Sequence, residues 1–135
     1  MAYKIDEIEG IGPSYREKLQ AAGIKTTDDL LSHCAKPAGR KQVAENTGLS
    51  EKHILGWTNM ADLMRVSGIG RQYAELLEAS GVDTIKELRN RNAENLSVKM
   101  SEVNAEKKLA KATPAKSIVE DWIKQARTTD PLIEY

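Results

Sequence analysis

Two runs of residues have the types and spacing to do chemistry: Gly10-Ile11-Gly12 and Gly68-Ile69-Gly70, each followed at once by a helix signal. Glycines on either side of an apolar residue permit a tight turn and a close backbone approach that a Cβ would forbid. A helix that starts straight after such a turn presents unpaired N–H groups and the positive end of its dipole, which together suit a phosphate oxygen. Ile11 and Ile69 are expected to point inward and anchor the turns. Ser14 and Arg16 follow the first run, and Arg71 and Gln72 follow the second, all with donors to offer.

Other constellations offer less. His33 and Cys34 are adjacent, His53 is isolated and Cys34 is the single cysteine, so no zinc site is expected. No Ser-His-Asp or Cys-His arrangement is legible, so the chain is expected not to be an enzyme. Neither glycine run is a dinucleotide fingerprint, because no strand precedes it and no third glycine follows. The acidic pairs Asp28-Asp29 and Glu120-Asp121 are explained by first helical turns or exposed faces. Lys99, Lys107, Lys108, Lys111 and Lys116 read either as a nucleic-acid patch or as a solvated helix face. Glu102 and Glu106 among them favour the solvated face. Trp57 and Trp122 read as core anchors, not stacking platforms.

The glycine runs belong to a longer repeat. Ile8–Leu31 returns at Val66–Arg89 with an offset of 58: Gly10, Ile11, Gly12, Tyr15, Glu17, Leu19, Ala21, Gly23, Thr26 and Leu30 match Gly68, Ile69, Gly70, Tyr73, Glu75, Leu77, Ala79, Gly81, Thr84 and Leu88. Such a repeat sets the architecture. Ile54-Trp57-Ala61 answers Val119-Trp122-Ala126 at an offset of 65, so the duplication extends across the chain, with about seven residues gained near 92–113.

Helix signals dominate around these motifs. Ile5 and Ile8 predict a short opening helix ended by Gly10. Pro13 suits a first turn, Gly23 a C′ position, and Thr27 a cap followed by Asp28 and Asp29. Thr84 and Glu87 make a capping-box pattern. Pro37 opens a helix that stops at Gly48, Ser50 caps the next, and Asn92 caps a long one bearing Leu96, Met100 and Val103. Thr113-Pro114 signals the start of a last helix whose buried face is Ile118, Val119, Trp122 and Ala126. The expected fold is all-α: a first repeat half over 1–63, a second over 64–128 and an irregular tail over 129–135. Each half is marginal in size alone, so the two are expected to share one pseudo-symmetric domain.

Composition bounds the function. Of 135 residues, 40% are hydrophobic and no long apolar run exists, which excludes disorder and a membrane span. The start MAYKIDEIEG lacks the pattern of a signal peptide, and a lone cysteine fits a reducing cytoplasm. Twenty basic residues balance twenty acidic ones, so no global field attracts nucleic acid. Charge is uneven: residues 86–116 carry eight Lys or Arg against four acidic residues, net +4, while residues 1–31 are net −2.

Gly10-Ile11-Gly12 with Leu19, and Gly68-Ile69-Gly70 with Ala74 and Leu77, resemble helix-hairpin-helix motifs. The continuation Ala-x-Gly-Ile/Val-x-Thr is similar to hairpin domains of bacterial DNA-repair, recombination and competence-regulator proteins. The whole chain resembles a poorly characterised bacterial family of tandem helix-hairpin-helix proteins. The resemblance implies a grip on DNA backbone that ignores sequence; because few phosphates would be engaged, the binding is expected to be weak and salt-sensitive. Its contacts would lie at Gly68, Ile69, Gly70, Arg71 and Gln72, and at Gly10, Ile11, Gly12, Ser14 and Arg16. In some members the hairpin carbonyls also hold a monovalent cation; no other cofactor is implied. The first copy departs from the pattern, with Arg16 at the small-residue position and Glu7 and Glu9 nearby. A neutral chain with an acidic first hairpin also fits an adaptor whose partner is a protein.

Overall fold

The glycine-bounded segments fold into helices throughout. A computed structural model describes residues 2–135, and every helix or strand among them is helical apart from one isolated bridge between Lys4 and Thr26. Eight α-helices follow a 3-10 turn at Ile5–Glu7: α1 Pro13–Ala21, α2 Thr27–Cys34, α3 Pro37–Thr47, α4 Glu51–Leu63, α5 Arg71–Ala79, α6 Ile85–Leu88, α7 Ala93–Lys107 and α8 Lys116–Arg127.

Several boundaries differ from expectation. The opening element is a single 3-10 turn, because Ile8 is already extended. Thr26, not Thr27, caps α2: its hydroxyl accepts from the Asp29 amide while Asp29 accepts from the Thr26 amide, a complete capping box. Thr27 is instead buried and pairs with Tyr3, whose amide donates to Thr27 Oγ1. In the second copy only half the box forms, since Glu87 turns to Arg91. The last helix starts two residues beyond Pro114, with Ala115 at its cap. Its buried stripe is Val119, Trp122, Ile123 and Ala126, while Ile118 is 46% exposed. Position 118 lies about a quarter-turn from the centre of that stripe, on its solvent side.

Packing repeats as the sequence does. α2 lies on α4 as α6 lies on α8, and α3 meets α4 as α7 meets α8. Tyr15 packs on Trp57 with ring centroids 5.2 Å apart and a 55° tilt; Tyr73 packs on Trp122 at 5.2 Å and 56°. One continuous core runs through both halves, from Ile5 to Ala126. The extra length of the second half lies in α7, 15 residues against 11 in α3, and in the loop 108–115.

Two polar devices lock the halves. Asp62, almost wholly buried on α4, accepts from the Ile85 amide at 2.8 Å and from Arg65 at 3.0 Å, fixing the start of α6. The tail is irregular as expected but returns to the first half. Buried Arg40 donates to the carbonyls of Cys34, Ala35 and Glu134, and the Glu134 amide donates to Ala35 O at 2.7 Å. A buried guanidinium is tolerated only when its donors are satisfied in this way.

Candidate functional site

The two turns share one geometry. Gly10 and Gly68 take φ +96° and +98°, values that favour glycine, and Gly12 and Gly70 are extended N-caps of α1 and α5. Ile11 and Ile69 are buried, as expected, and act as anchors. Beneath each turn lies a tryptophan. A Cβ placed on Gly68 would stand 3.0 Å from Nε1 of Trp122, and one on Gly10 3.5 Å from Nε1 of Trp57. Nothing stands within 4 Å of the Cβ positions of Gly12 and Gly70, which open outward. No side chain caps α1 or α5.

The flanking residues have been drawn into internal contacts. Arg71 Nε lies 2.5 Å from Oε2 of Glu9, joining the second turn to the first. Arg16 pairs with Asp6 at 3.3 Å. Ser14 is exposed and free to reach a ligand. Gln72 accepts from the Lys111 amide at 3.2 Å, so the basic segment adjoins the second turn. The sequence did not reveal Glu9 as a partner of Arg71, nor Lys108 and Lys111 as neighbours of Gln72. The extra residues of the second half were the one available signal for the latter.

The charges around Arg71 are mixed. Its hydrogen bond to Glu9, helped by the charges of Glu9, Glu7 and Glu75, holds the guanidinium more firmly protonated than usual. Burial raises the Glu75 carboxyl above its ordinary value, and Glu9 adds to the rise. An incoming phosphate would therefore compete with Glu9 for Arg71, while the amides at the start of α5 carry no rival side chain.

Cys34 is buried beneath α3 and α4 and is the single cysteine of the chain. Burial pushes the Cys34 thiol up to about 11, which removes the thiolate needed for nucleophilic work. Among the described residues no group of three His, Cys, Asp or Glu side chains is arranged to hold a metal ion. No helix among them is long and apolar enough to cross a membrane.

A family model described as a domain of unknown function (DUF4332) matches residues 9–129. No curated protein and no solved structure matches the chain.

Proposed function

The chain belongs to the DUF4332 family, and we propose that it is a non-enzymatic binder of nucleic-acid backbone, built from two tandem helix-hairpin-helix turns. The observation that carries this reading is the pairing of the turns. Two helix starts of equal geometry, neither capped by a side chain, are tied together through Glu9 and Arg71. Each offers backbone donors and a dipole to a phosphate oxygen, a contact that reads no bases. The second turn is the stronger, with Gln72 and the Lys108–Lys111 loop beside it; the first offers Ser14.

The carboxylates on Arg71 and Arg16 favour a second reading, an adaptor in which the turns meet a protein. Titration of labelled single- and double-stranded DNA at low and moderate salt separates the two. Backbone binding predicts saturable association at low salt that falls steeply as salt rises and is weakened by Arg71→Glu. Absence of binding at low salt would sink the nucleic-acid reading and leave the adaptor.

A further inference from the structure

We propose that the loop from Lys108 to Lys111 and the start of α5 form a second phosphate seat, over which a strand gripped at Gly70 continues; the inference rests on the nucleic-acid reading above. Between Gln72 of α5 and the end of α7 lies an open cleft of about 480 Å³, lined by Gln72, Asn104, Lys108, Leu109, Ala110 and Lys111. Its lining combines the cationic Lys108 and Lys111 with the apolar Leu109 and Ala110, against which a sugar can pack. A volume in this range suits a ligand the size of a nucleotide segment.

The loop is built in place. Asn104 holds it from both sides, donating to Ala110 O at 3.1 Å and accepting from the Ala110 amide at 2.9 Å. The Lys111 amide donates to Gln72, so the loop is fastened to the very helix whose start faces the ligand. Lys108 is the one non-glycine among the described residues with a left-handed backbone, φ 53°. That conformation costs a lysine stability that a glycine would not lose, and here it keeps a charge at the cleft. Neither Lys108 nor Lys111 is ion-paired; among the described residues the one paired lysine is Lys116, with Glu120 at 3.8 Å. The first half has no counterpart, because α3 and α4 are joined by residues 48–50 alone.

The test follows binding of labelled single- and double-stranded DNA by anisotropy over a salt series, with Lys108→Ala/Lys111→Ala against the charge-matched control Lys41→Ala/Lys52→Ala. The seat predicts that the loop variant loses affinity at low salt and that its salt slope shrinks by about 1.4 on single strands or about 1.8 on duplex, the share of two phosphate contacts. The control keeps the wild-type slope. Lys108→Gly is expected to bind less tightly while melting no lower than wild type. Wild-type binding with an unchanged slope in the loop variant would overturn the seat and leave the hairpin reading intact. An equal loss in the control would also overturn it, as a diffuse field effect. A wild type that binds neither DNA fails the hairpin reading itself and takes the seat with it.

Discussion

Glu9 Oε2 sits 2.5 Å from Arg71 Nε, so a carboxylate from the turn of the first half occupies the guanidinium that opens α5 in the second. The two residues are 62 apart in sequence. The contact makes the two turns neighbours and places a rival for phosphate inside the proposed site.

Glu9→Gln removes that rival. Both side chains are about half exposed, so the pair contributes little to folding, and the variant is expected to stay within about 1 kcal/mol of wild-type stability. Loss of one like charge near a bound phosphate is worth about 1 kcal/mol, or about fivefold in affinity. Denaturant melts and DNA titrations check the two halves of this expectation. Unchanged affinity would mean that no phosphate comes close to Arg71.

Glycines of the same turn should respond in opposite ways. Gly68→Ala forces a Cβ into the left-handed region and against Trp122, at an expected cost of about 2–4 kcal/mol. Gly70→Ala meets open space in an extended backbone and exchanges a glycine cap for a poorer one, so it should cost less than about 1 kcal/mol. Its DNA affinity should nonetheless fall, because the added methyl stands where a phosphate must approach the amides. Chemical denaturation and binding titration read both.

Arg40 is the fastening point of the tail. Replacing it by Met deletes three charged hydrogen bonds to carbonyls, with an expected loss of about 2–3 kcal/mol. Hydrogen exchange should show the Glu134 amide released from Ala35, while protection in α8 persists. Retained protection at Glu134 would show that the tail is held by other contacts.

The cap of α2 carries a pH signature. The Lys25 amide, with smaller help from Thr26, holds Asp29 below its ordinary value of 3.8, and burial opposes the shift only in part. A carboxyl lowered on folding contributes stability that is fully present above 3.8 and is lost as pH falls through the folded-state value. Asp29→Asn should therefore destabilise at neutral pH, with the difference from wild type narrowing below 3.8. Thr26→Ala, which removes the other half of the box, should cost about 1 kcal/mol at neutral pH. Melts across the pH range test both.

What the sequence determined by itself is local. Helix starts at Pro13, Pro37, Glu51 and Ala93, the glycine turns at 10–12 and 68–70, the helix-ending Gly23 and Gly48, and the buried Trp57 and Trp122 follow from caps, turn residues and periodicity within a few positions. Local rules also left near ties that packing broke. Thr26 took the cap because Thr27 was needed against Tyr3, and Ile118 stayed outside because Ile123 filled the stripe. Only the tertiary structure decided which charges meet. Arg71 reached Glu9, and Lys111 reached Gln72 across 39 residues, because packing α5 beside α4 and α7 brings distant surface residues together. Exposed side chains leave no periodic trace of their partners, so the two glycine turns were legible in the sequence and the charges that govern them were not.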